Sequence, residues 1–75
     1  VLIADHETDS RILLKRSFEQ QGIQADDVDR GNQVLGRIEQ EYYDLVLIDT
    51  KLPDVHGEEL SKIIRRNPEF KDLSV

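Results

Sequence analysis

Seventy-five residues make at most one domain, and a chain this short buries only about 60% of the surface that it exposes when unfolded, so its core is small. The absence of cysteine excludes a disulfide framework, a thiolate zinc site and a cysteine nucleophile, and it suits a cytoplasmic protein. Sixteen acidic residues against ten basic ones give a formal charge of -6, a field that repels phosphate backbones and argues against direct nucleic-acid binding by this segment.

The chain opens with VLIAD (residues 1–5), a continuous apolar run that reads as a buried strand and ends on an aspartate. Thr8, Asp9 and Ser10 are each placed to cap the helix that follows. In it Ile12, Leu13, Leu14 and Phe18 form an apolar face beside outward Arg11, Lys15 and Arg16, and Gly22 supplies the stop. IQADDVDRG (23–31) is a poor strand, interrupted by Asp26 and Asp27; charges of that kind fit a solvated edge that discourages pairing with another molecule. A second helix is predicted across NQVLGRIEQEY, with Val34, Leu35 and Ile38 on one face, Asn32 as a cap, and Gly36 weakening it by about 1 kcal/mol relative to alanine.

Leu45 to Ile48 then form a short apolar run between Asp44 and Asp49, a second strand buried on both faces that ends on a carboxylate. A loop leads to EELSKIIRR, with Leu60, Ile63 and Ile64 at helical spacing and Arg65 and Arg66 suiting the helix C-terminal dipole; Asn67-Pro68 ends that helix. LSV, at the end, reads as the start of a fourth strand. The longest apolar run is far too short for a bilayer, and VLIADHE has neither a basic lead nor a cleavage site, so neither a membrane span nor a signal peptide is expected.

The order βαβαβα, followed by the first residues of a strand, predicts an α/β fold with parallel pairing, right-handed crossovers and helices on both sheet faces. Functional groups in such sheets gather at the carboxyl ends of the strands. Asp5 and Asp49 both lie there, so their carboxylates converge if their strands are neighbours. Two such groups suit a magnesium ion, which needs one or two carboxylates plus water and phosphate oxygens. They also suit nucleophilic attack on phosphorus to give an acyl phosphate, the cation offsetting repulsion between the two anions. The plain structural alternative for either residue alone is a helix cap or turn former.

VLIADHETDSRILLKRSFEQQG, YDLVLIDTKLPDVHG and IIRRNPEFKDLSV together resemble the receiver domain of bacterial two-component response regulators over the whole chain. The most specific part is the apolar strand followed by Asp49, Leu52, Pro53 and Gly57. The resemblance implies a flavodoxin-like doubly wound parallel sheet, of which residues 1–75 are the N-terminal part of one receiver domain. It implies Asp49 as phosphoacceptor and Mg²⁺ held by Asp5, Asp49 and the Lys51 backbone carbonyl, the Lys51 ammonium being an ordinary surface group. Pro53 shapes the loop by fixing φ and Gly57 by tolerating a positive φ.

The partners implied are a sensor histidine kinase or phosphotransfer protein and an output domain or downstream protein, with no membrane; a homodimer stays open. The domain is a signalling module of the cytoplasm, not an enzyme. An alternative of another class is a pseudo-receiver, an interaction module that keeps the fold without phosphorylation, and a small magnesium-dependent phosphatase is a third.

Two departures from the family pattern stand out. Receivers carry two adjacent acids after the first strand, whereas His6 follows Asp5 here, and imidazole is a poor magnesium ligand and a better one for zinc, copper or iron. Either Glu7 reaches in to replace the missing carboxylate, or His6 is a partly exposed loop histidine. The second departure is that the family's switch Ser or Thr and its later Lys lie beyond residue 75, Ser74 falling inside the predicted strand. Two other likenesses fail: DVHG lacks the spacing of the cobalamin-binding pattern, leaving His56 a surface loop residue, and Lys51 replaces the acid/base aspartate of haloacid-dehalogenase-type phosphatases.

Overall fold

The computed structural model describes residues 1–70. Strands β1 (Leu2–Ala4), β2 (Asp26–Val28) and β3 (Val46–Ile48) alternate with helices α1 (Thr8–Gln20), α2 (Val34–Gln40) and α3 (Gly57–Arg66). Single 3₁₀ turns precede α2 (Gly31–Gln33) and follow α3 (Pro68–Phe70). The strands form one parallel sheet in the order β2-β1-β3, so the fold class expected from the sequence is the one observed. The expected fourth strand at LSV lies outside the described residues.

Strand register divides the side chains between the sheet's two faces. Ala4 stands level with Val28 on one side and Ile48 on the other, and Leu2 is level with Val46. With period-2 alternation these share one face. They pack there with Val34 and Ile38 of α2 and Leu60 and Ile64 of α3, and Leu2, Val34, Val46 and Ile64 are fully buried. Ile3, level with Asp27 and Leu47, points to the other face, where α1 lies and its Arg11 reaches Asp27. Helices therefore cover both faces, as a doubly wound sheet requires.

Several local expectations need correction. Thr8, Asp9 and Ser10 do not cap α1: the extended cap residue is Glu7, with no side-chain cap bond, and Thr8 is already helical. The stop is as expected, since Gly22 adopts φ +79° and the Gly22 and Ile23 N–H groups bond the Glu19 and Phe18 carbonyls, a Schellman closure that favours glycine. The apolar face of α1 is not buried; Ile12, Leu13 and Leu14 are all exposed, Leu13 by 64%. Arg11 and Lys15, expected to face outward, are instead half-buried, because both ion-pair with Asp27 of the adjacent strand at 2.8 and 3.4 Å.

Asp26 and Asp27 thus sit on an edge of the described sheet, yet both are partnered and half-buried. Asp26 accepts the Tyr43 hydroxyl at 2.6 Å, and Glu41 lies 3.0 Å from the same oxygen. Burial first, and then these two carboxylates, push the Tyr43 phenol well above its ordinary value. β3 is less enclosed than expected: Val46 is buried, but Leu47 and Ile48 are half-buried, because among the described residues β3 pairs only with β1. In α3, Leu60 and Ile64 are buried while Ile63 is 48% exposed, since it falls on the turn's outer side. Asn67 caps α3 and Pro68 begins the next turn, as the sequence indicated.

The two adjacent isoleucines of α3 provide a test of this packing. Ile64→Ala is expected to lower unfolding free energy by about 2–5 kcal/mol, against about 1 kcal/mol or less for Ile63→Ala, in urea denaturation of the intact protein. Equal losses would contradict the burial difference.

Candidate functional site

Parallel pairing extends one residue past the strand ends on both sides of β1, and so fixes Asp49 through the β1–β3 ladder and Asp5 through the β1–β2 ladder. Asp49 N–H donates to the Ala4 carbonyl at 2.8 Å, and Asp5 N–H donates to the Val28 carbonyl at 3.2 Å. The two carboxylates consequently emerge side by side at the C-terminal end of the sheet, as expected if their strands were neighbours. The surrounding cleft, about 480 Å³, is lined by Asp5, His6, Glu7, Asp49, Lys51, Ser10 and apolar groups of β1, β3 and α1.

Each functional group has a defined local partner. Asp5 Oδ1 accepts the Glu7 N–H at 2.9 Å, which closes the turn into α1. Asp49 Oδ1 accepts the Lys51 N–H at 3.1 Å, and Asp49 Oδ2 lies 2.8 Å from His6 Nδ1. The Lys51 amide is the leading cause that holds the Asp49 carboxyl below its ordinary value; His6 adds to it, and partial burial opposes both. Asp49 is therefore anionic at neutral pH, which a phosphorus nucleophile requires.

His6 is a partly exposed loop histidine, one of the two alternatives the sequence offered, but its ring is turned onto Asp49. Its Nδ1 also stands 4.0 Å from Asp5 Oδ1, and one ligand atom each from Asp5, His6 and Asp49 lies within 4.8 Å of the others. The Glu7 side chain is not in this group. Lys51 is exposed and forms an isolated bridge with His56, itself exposed at the start of α3, which agrees with a surface role for both side chains.

The loop after Asp49 is held by contacts that the sequence did not reveal. Asp54 accepts the N–H groups of Gly31 and Asn32, both at 2.8 Å, and so caps the turn before α2 from 22 and 23 residues away. Asn32, the predicted cap, is the recipient instead. Desolvation raises the Asp54 carboxyl, but those two amides together with its own N–H and the Arg30 charge leave it below its ordinary value. Only the Asp54-Gly31 pairing in three dimensions shows this link, since an acid beside Pro53 reads locally as a turn residue.

Gly57 also acts differently from the expectation of positive φ, which among described glycines occurs only at Gly22. A Cβ on Gly57 would collide with the Asp49 carbonyl group and Thr50 Cα, and its N–H donates to the Thr50 carbonyl at 3.3 Å. Glycine is needed there for close approach of α3 to the Asp49 backbone.

The receiver-domain family model, "Response regulator receiver domain", matches residues 1–75. The chain belongs to the response regulator receiver domain family. Sensor protein EvgS of Escherichia coli O157:H7 is 37% identical over 65 residues, 87% of this chain and 5% of that protein. The crystal structure of a sensor protein from Polaromonas sp. JS666 superposes with TM-score 0.90 at 30% identity, covering 96% of this chain and 58% of that one. Response regulator TrrA of Thermotoga maritima, solved in complex with Mg²⁺-BeF, gives TM-score 0.85 at 31% identity, with 91% and 59% covered. TrrA has also been solved with histidine kinase ThkA. This receiver therefore spans a small part of the curated relatives and under two thirds of the solved ones. Among the described residues no helix is long and apolar enough to cross a membrane.

Two outcomes follow from the receiver's site geometry. In a carboxyl NMR titration Asp49 should titrate below the ordinary aspartate range. Because the folded value is the lower one, the stabilisation is complete above the unfolded value and is lost as pH falls through the folded value; Asp49→Asn should flatten that part of the acid limb. A midpoint at or above the ordinary value would contradict the Lys51 bond. Gly57→Ala should destabilise the intact protein by about 1–3 kcal/mol in denaturant titration, whereas an unchanged midpoint would show that α3 can retreat freely.

Proposed function

We propose that Asp49 of this receiver accepts a phosphoryl group from a phosphohistidine of a sensor kinase or phosphotransfer protein, and that residues 1–75 are the N-terminal part of the receiver domain. The observation that carries the reading is the pairing of β1 with β3, which sets an anionic Asp49 beside Asp5 in an open cleft. One Asp49 oxygen attacks phosphorus, the phosphorus–nitrogen bond to the donor imidazole breaks, and an acyl phosphate is formed. The Lys51 N–H on Oδ1 keeps the carboxylate ionised and oriented, while Oδ2 is released by His6 as the phosphoryl group enters.

Asp5 and Asp49 offer carboxylate oxygens of the kind that Mg²⁺ accepts, with His6 beside them, and the open cleft leaves room for water and phosphate; the Lys51 carbonyl is the third oxygen ligand that the family resemblance implies. When bound, the ion offsets charge repulsion between the carboxylate and the phosphoryl group. TrrA, held with Mg²⁺-BeF and with a histidine kinase in two structures, supports both the cation and the kinase partner. The acyl phosphate shifts the population of conformers that an output domain or downstream protein recognises, in the cytoplasm, with a homodimer as one form of readout. The domain assists only its own phosphorylation and dephosphorylation and turns over no separate substrate.

One contact favours a second reading. With His6 Nδ1 at 2.8 Å from Asp49 Oδ2, the nucleophilic oxygen is already engaged, which suits a pseudo-receiver that binds partners without phosphate.

The intact protein, incubated with acetyl phosphate and Mg²⁺, is expected to gain one phosphate by intact-mass spectrometry, and Asp49→Ala to gain none. Partner binding retained with no adduct in either protein, nor in His6→Asp, would select the pseudo-receiver.

A further inference from the structure

We propose that Asp5, His6 and Asp49 form a mixed oxygen–nitrogen cation site, in which the His6 imidazole is itself a ligand and shifts selection from Mg²⁺ toward late first-row ions such as Zn²⁺ or Co²⁺. The proposal rests on the receiver reading, which makes this end of the sheet a cation site, and it concerns which ion the chain's own residues prefer.

Geometry comes first. The His6 side chain is 46% exposed, yet its ring turns inward, with Nδ1 at 2.8 Å from Asp49 Oδ2 and 4.0 Å from Asp5 Oδ1. The three donor atoms stand within 4.8 Å of one another on the loops that leave two paired strands. Ligand atoms around a tetrahedral zinc ion, at bonds of about 2.0–2.1 Å, lie about 3.3 Å apart. Closing the set around such an ion needs small shifts of exposed or half-buried side chains, and no strand has to move.

Chemistry then gives the direction. Mg²⁺ takes oxygen ligands, holds its waters tightly and demands a regular octahedron, so a nitrogen in place of a second acid removes affinity. The same exchange lowers the negative charge around the site, which weakens a hard cation further. Zn²⁺ and Co²⁺ accept imidazole and carboxylate together, with open positions left for water or substrate. The His6 tautomer with its hydrogen on Nε2 presents the Nδ1 lone pair to the ion, from the position in which Nδ1 faces Asp49 Oδ2. The cleft, about 480 Å³, leaves the remaining positions accessible. His56, the other histidine in the sequence, starts α3 and does not enter the cluster.

The test compares the intact protein with its His6→Asp variant, both carrying His56→Asn so that His6 is the one imidazole within residues 1–75. Zn²⁺ and Mg²⁺ are titrated separately by calorimetry, without phosphate. His6→Asp should lower the ratio of Zn²⁺ to Mg²⁺ affinity on the order of tenfold or more, as for loss of a direct ligand. In the protein with His6 intact, Zn²⁺ should also shift the His6 Nδ1 resonance in a nitrogen-15 spectrum, a readout that does not depend on any site variant.

An unchanged ratio, or Zn²⁺ binding that leaves the Nδ1 resonance in place, would overturn the proposal. A phosphate adduct formed with Mg²⁺ beside an unchanged ratio would leave the receiver reading standing and remove only the ligand role of His6. A ratio that falls as expected, with no adduct under either ion, would support the cation site and remove the phosphoacceptor.

Discussion

The two parallel ladders on either side of β1, with β3 and with β2, are the constraint on which the site depends. Neither aspartate is held by its own side chain alone: the Asp49 amide is fastened to Ala4, and the Asp5 amide to Val28. Two carboxylates that would repel each other are thereby kept adjacent by backbone hydrogen bonds and by the burial of Leu2, Ala4 and Val46 beneath them. Hydrophobic packing thus opposes the electrostatic cost of assembling an anionic site, and a cation or an imidazole offsets the rest.

Around those ladders, the loop after Asp49 is fixed by one long-range polar contact, one close backbone approach and one local bond. Asp54 reaches the turn before α2, Gly57 lets α3 approach the Asp49 backbone, and the Lys51 amide orients Asp49 Oδ1. All three lie within eight residues of Asp49 in the sequence. The loop after Asp49 is thus tied to both α2 and α3, and the phosphoryl group proposed for Asp49 would act on that connection.

Charge is used on the other face of the sheet in the same manner. Asp27 gathers Arg11 and Lys15 from α1, while Ile12, Leu13 and Leu14 of that helix remain exposed. The helix is docked through ion pairs of modest worth at a partly exposed position, so its attachment among the described residues is weaker than that of α2 and α3, whose Val34, Ile38, Leu60 and Ile64 are buried. The acidic strand β2 is accordingly not only a guarded edge; its carboxylates hold α1 and Tyr43 in place.

The sequence by itself determined the alternation of elements and the strand ends at Asp5 and Asp49, because apolar runs and helical spacing are local signals that a parallel sheet amplifies. It also displayed His6 beside Asp5, Gly22 as a helix stop and Asn67-Pro68 as another. Only the tertiary structure decided that Asp54 caps a turn far away, that Asp26 meets Tyr43, that Arg11 is drawn inward while Leu13 is left exposed, and that His6 faces Asp49. Each of those depends on which segments become neighbours across the sheet, and a chain read in one dimension carries that information only through the fold as a whole.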